Sequence, residues 1–145
     1  METRETALVI VYGATYLATA LILLGVDSIW LSITASRLYR PLLGPVLRED
    51  FDPLAAVLFY AIYVAGIVVF VIAPSLPDGK SRVVAARGAF FGLVAYATYD
   101  LTNQATLKQW PVVVTIADLC WGATLTAIAA TAGHAIAVRL SQPHR

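Results

Sequence analysis

Three aspartates stand where almost nothing else is charged, and they are the residues with which this sequence could do chemistry. Asp27 follows an uncharged run from Thr6 to Val26, Asp100 is the only charge between Gly88 and Leu107, and Asp118 is the only one between Val112 and Val138. A carboxylate at bilayer depth costs roughly 2.5–3.5 kcal/mol at a span centre and less near the interface, so it persists where it is paired, protonated or used. Two carboxyls sharing a low-dielectric site split their titrations, and one then holds a proton while the other is ionised. Such a pair is the physical basis for a general acid, a proton relay or a cation site. The plainer alternative is that tyrosine hydroxyls, Asn103 and Thr102 hydrogen-bond the three carboxyls and pin the helices together, with Asp27 near enough to water to be solvated.

Aromatic residues accompany each acid at helical spacing. Trp30 and Trp121 follow Asp27 and Asp118 by three residues (DSIW and DLCW), so one side of each helix presents an acid and an indole. That pairing suits a cationic or flat ligand through cation–π contact, and the two four-residue matches form a weak internal repeat. Tyr60 with Tyr63, and Tyr96 with Tyr99, Asp100 and Asn103, make two further sets that share a face. Trp110 sits beside a turn, where an aromatic belt at the membrane interface accounts for it.

The elements that must carry these residues follow from composition. Of 145 residues, 59% are hydrophobic and 13% charged, and the mean hydropathy is +0.76. Soluble domains hold about 45–50% apolar and about 25% charged residues, so the chain reads as an all-α integral membrane protein. Four segments are long enough for the roughly 20 residues of a span: about 7–30, 54–74, 86–106 and 112–138. They predict one transmembrane domain over 1–145, an antiparallel bundle of four transmembrane helices. Prolines 53, 74, 77 and 111 fall where helices should start or stop. The first segment opens on METRE, one arginine against two glutamates, and its apolar run exceeds the roughly 7–15 residues of a signal peptide, so it reads as a retained helix. The stretch 31–53 reads as an interfacial loop, since Pro41, Gly44 and Pro45 interrupt any continuous helix there.

In that bundle the polar sets collect at one end: late in the first and third helices, early in the second and fourth. Asp100 and Asp118 each lie roughly 10–12 Å along the axis from the turn at 108–111, so they can meet at one level. The opposite half carries only Tyr12, Tyr16 and scattered threonines. With both termini on one side, that side holds Arg4, Lys80, Arg82, Arg87, Arg139 and Arg145, against Arg37, Arg40, Arg48 and Lys108. Six against four places the termini of this multi-pass protein in the cytoplasm and the polar pocket in the outer half.

Several chemistries are absent from the sequence. A net charge of +1 without runs of like charge offers nothing to nucleic acid. Cys120 is the only cysteine, which leaves no disulfide framework and no CxxC pair; it reads as a small core residue. His134 has no second ligand at metal-binding spacing, and no nucleotide, hydrolase or zinc motif is present, so neither a metal nor another cofactor is expected. GAFFG at Gly88 to Gly92 lets a neighbouring helix approach closely, within the bundle or in a dimer.

The stretch YATYDLTNQATLKQWPVVVTIADLCWG from Tyr96 to Gly122, with VDSIWL at 26–31 and LFYAIYVAGIVVFV at 58–71, resembles the bacterial four-helix membrane proteins grouped as domain of unknown function 2177. The resemblance implies a small inner-membrane protein and supplies no activity. Its pattern emphasises positions matching Asp27, Trp30, Tyr60, Tyr63, Tyr99, Asp100, Asn103, Trp110, Asp118 and Trp121.

Three classes of function remain. The first is a protein that binds or carries a membrane lipid or small hydrophobic molecule such as a lipid headgroup, an isoprenoid or a hydrophobic cation. Asp27, Trp30, Tyr60, Tyr63, Tyr99, Asp100, Asn103, Asp118 and Trp121 are its candidate ligand-binding residues. The second is an accessory subunit, in a homo-oligomer or a larger membrane complex, docking through the small residues Ala85, Gly88, Ala89 and Gly92. The third is a lipid-modifying enzyme using paired aspartates as acid and base, so whether the protein is an enzyme stays open.

Overall fold

The computed structural model describes residues 2–76 and 79–141, without the side chains of residues 2–4 and 7. Pro77, which served the turn reading, and Arg145, which served the orientation count, lie outside the described residues, as does the side chain of Arg4. Among the described residues every regular element is helical: α1 (Glu2–Thr34), α2 (Arg40–Leu43), α3 (Pro53–Gly66), α4 (Ser81–Thr106) and α5 (Val112–Ser141).

The stretch read as a loop is helical through Val46, and the reason lies at Pro41. A π-helical turn over Ala35–Tyr39 joins α1 to α2, with the Arg40 N–H donating to the Ala35 carbonyl five residues back. This wider turn resets the hydrogen-bond ladder, so Pro41 falls in the first turn of α2, where a missing N–H costs nothing. A 3₁₀ turn over Gly44–Val46 then ends the run. A second π-helical stretch, Ile67–Ile72, extends α3 before Pro74 brings it to a 3₁₀ end at Ser75. At the other end of α3, the Asp52 carboxylate accepts from the Leu54 and Ala55 N–H groups, both at 3.1 Å, ahead of Pro53.

Among the described residues, three helical stretches are long and apolar enough to cross a membrane, Leu8–Val46, Pro53–Ser75 and Val112–Ser141. The fourth long helix, α4, has 26 residues, about 39 Å of length at 1.5 Å per residue. Arg82, Arg87, Asp100 and the run Thr102 to Gln104 dilute its apolar character. The molecule is an all-α membrane protein in which α4 is the polar member of the bundle.

Packing centres on α5, which lies against α4 most extensively and against α1 next. Glycines set the α4–α5 distance: a methyl group on Gly92 would overlap the Gly122 carbonyl, and one on Gly88 would stand 3.0 Å from the Ala130 methyl. The GAFFG motif therefore serves the bundle interior. Leu23, Val64, Ile67, Ile72, Val84 and Leu125 are buried at the centre. Outward faces are equally apolar, with Leu21, Ile62, Phe70 and Phe90 exposed; such surface suits hydrocarbon rather than water. Cys120 belongs to this outer face and not to the core, because it stands about 200° around α5 from the inward-facing Asp118. His134 is buried, its Nε2 3.1 Å from the Ser75 carbonyl.

Candidate functional site

The polar end is organised by the two Asp-x-x-Trp segments, which the fold places on antiparallel helices. Asp27 and Trp30 lie on α1, which runs toward this end, and Asp118 and Trp121 on α5, which starts from it. Antiparallel pairing sets Asp27 level with Trp121 and Trp30 level with Asp118. The indole N–H of Trp121 donates to Asp27 Oδ1 at 2.9 Å. The Trp30 N–H donates to the Tyr39 hydroxyl at 3.0 Å, and Tyr39 in turn donates to Asp118 Oδ1. Each indole thus reaches the aspartate of the other segment, one directly and one through a tyrosine. The rings stack with centroids 4.4 Å apart and planes 7° from parallel. The Tyr60 hydroxyl completes the Asp27 carboxylate by donating to Oδ2 at 2.5 Å.

These residues form one wall of a cavity of about 710 Å³. Seven of the nine candidate residues line it: Asp27, Trp30, Tyr60, Tyr99, Asp100, Asp118 and Trp121. Tyr63 does not, because its hydroxyl pairs with the Thr126 hydroxyl at 2.6 Å and its ring packs between Phe59 and Phe91. Asn103 also lies outside the wall. The hydrogen bonds expected from Asn103 and Thr102 to the carboxyls are not formed, whereas those from tyrosine reach Asp27 and Asp118. Asp100 is fully buried, and among the described residues neither of its carboxyl oxygens has a hydrogen-bond donor.

Sequence reasoning missed Tyr39 and Arg40 as wall residues and left Tyr96 off the ligand-binding set; all three line the cavity. The signal for Tyr39 was an aromatic in an amphipathic stretch, but its position beside Trp30 depends on the π turn. Trp110 also faces the cavity, with its ring edge-on to Tyr99 at 5.7 Å and its N–H donating to the Thr115 hydroxyl at 3.0 Å. The remaining lining is largely apolar, including Leu31, Leu43, Leu47, Phe51 and Phe59. Among the described residues no group of three His, Cys, Asp or Glu side chains is placed to hold a metal ion. The chemistry available is that of oxygen acceptors in an aromatic, mostly apolar chamber, with two carboxyls, Asp100 and Asp118, in mutual electrostatic reach.

Fold and site together define an all-helical membrane protein with an aromatic, mostly apolar cavity, lined by three carboxyls, at one end of its bundle. Residues 12–135 match the family described as "Predicted membrane protein (DUF2177)", and the chain belongs to that family. No curated protein and no solved structure matches it.

Proposed function

We propose that the cavity binds a membrane lipid or small hydrophobic molecule, and that the protein acts as a binding or carrier protein of the bacterial inner membrane with both termini in the cytoplasm. The observation that carries this reading is Asp100, a buried carboxyl without a donor in the wall of a mostly apolar cavity. Buried polar groups are nearly always hydrogen-bonded, and a carboxyl without a donor just behind the cavity wall leaves acceptor capacity there that no group among the described residues meets. The volume falls within the roughly 300–1,000 Å³ of small-molecule sites. The orientation rests on the six-to-four distribution of Lys and Arg.

The test is mass spectrometry of small molecules that co-purify with the wild-type protein and with Asp100→Asn and Asp118→Asn variants that remain folded. A molecule enriched in the wild type and lost from the variants supports the reading. Bulk lipid alone in all three refutes it and favours an accessory subunit. A lipid-modifying enzyme is the second reading, favoured by Asp100 and Asp118 facing one cavity; conversion of the co-purifying molecule by wild type and not by either variant would establish it.

A further inference from the structure

The wall of the cavity can be counted donor by donor. The N–H of Trp121 and the hydroxyl of Tyr60 are both committed to Asp27. The N–H of Trp30 is committed to Tyr39, the hydroxyl of Tyr39 to Asp118, and the N–H of Trp110 to Thr115. Apart from the exposed guanidinium of Arg40, what remains is chiefly acceptor capacity: both oxygens of Asp100 lack a donor among the described residues, and Asp118 accepts at Oδ1 alone. The hydroxyls of Tyr96 and Tyr99 can act either way.

Charge points in the same direction. Among the described residues three carboxyls line the cavity, and the only basic residue in its lining is Arg40, which is exposed. A ligand that satisfies this wall must donate hydrogen bonds, and positive charge makes those bonds roughly twice as strong. A metal ion is a poor candidate, since no three ligating side chains among the described residues converge. An ammonium group on an organic molecule fits better: it brings three donors on one atom, and the indole and phenol faces around it add cation–π attraction. The apolar part of the lining includes Leu43, Leu47 and Phe51, whose exposure rises from 6% through 45% to 80%.

We infer that the molecule held here is an amine-bearing amphiphile, its protonated nitrogen seated at Asp118 with the buried Asp100 carboxyl behind it in the wall, and its hydrocarbon chain leaving past Leu47 and Phe51. The inference rests on the reading of the cavity as a ligand site.

All three tryptophans of the protein line the cavity, so intrinsic fluorescence reports on it directly. The full chain in phosphatidylcholine nanodiscs is titrated with decylamine, decanol and decanoate, each below its micellar concentration. Decylamine is expected to give a saturable change, with half-saturation at least tenfold lower than for decanol or decanoate, and Asp100→Asn is expected to weaken decylamine at least tenfold while leaving decanol unchanged. If decanol or decanoate saturates the signal as readily as decylamine, the cavity stands as a site and the amine inference falls. If none of the three gives a saturable change, the reading of the cavity as a site falls with it. Should Asp100→Asn fail to fold, the comparison of the three probes on wild-type protein decides the matter alone.

Discussion

Replacing Tyr39 by Phe removes one oxygen atom and breaks two hydrogen bonds. The Tyr39 hydroxyl accepts from Trp30 and donates to Asp118, so its loss orphans an indole N–H on α1 and a carboxyl oxygen on α5 together. Tyr60→Phe removes the same atom from the same residue type but breaks one bond, and Asp27 keeps its contact with Trp121. Side-chain hydrogen bonds within membrane proteins contribute about 0.6 kcal/mol on average and at most about 1.7. Tyr39→Phe should therefore cost about 1–3 kcal/mol and Tyr60→Phe about half of that. Reversible unfolding by sodium dodecyl sulfate in mixed micelles, followed by far-ultraviolet circular dichroism, measures both. A Trp30→Phe variant closes a double-mutant cycle with Tyr39→Phe, and a coupling of at least about 0.5 kcal/mol is expected for groups in contact. If Tyr39→Phe proves no costlier than Tyr60→Phe, or the cycle is additive, the relay from Trp30 through Tyr39 to Asp118 does not hold the bundle as described.

The remaining predictions concern packing and exposure. Gly92→Ala should push α4 from α5 and cost at least about 1–3 kcal/mol of stability, whereas Gly25→Ala, where an added methyl meets nothing within 4 Å, should be neutral or stabilising by up to about 1 kcal/mol; thermal denaturation of the two variants separates them. A nitroxide attached to Cys120 should collide more with oxygen than with a water-soluble nickel chelate, and the reverse preference in electron paramagnetic resonance would contradict its place on the lipid-facing surface. His134→Phe should cost about 1 kcal/mol through loss of the contact with the Ser75 carbonyl and leave binding in the cavity unchanged; a lost chromophore or metal signal on that change would overturn its structural role.

Much of the polar end was legible from spacing and depth. Asp27, Trp30, Tyr60, Asp118 and Trp121 were found because a three-residue step keeps two side chains on one helix face, and because antiparallel spans bring the end of one helix level with the start of the next. The same rule carried Tyr63 and Asn103 too far. Three residues turn a helix by about 300°, and the 60° shortfall aims Tyr63 at Thr126 in the core. Tyr39 was out of reach for a different reason: a π turn alters the angular count, and Pro41 signals a break where the wider turn absorbs it. Composition located the membrane but did not separate α4 from the other three helices, whose polar content sets it apart only when its two ends are considered together. Nor does spacing reveal which carboxyl lacks a partner, since that depends on which donors have already been taken.

The partners of Asp27 leave the ribosome in order. Tyr60 follows it by 33 residues and Trp121 by 94. At a synthesis rate of about 5–20 residues per second, that is roughly 2–7 s for the first partner and roughly 5–19 s for the second. Until Tyr60 is made the first helix holds an acidic side chain with neither of these donors, and until Trp121 is made it has at most one of them. The last helix thus completes the first: the hydrogen bonds that hold Asp27 are not all in place until Trp121 has been made.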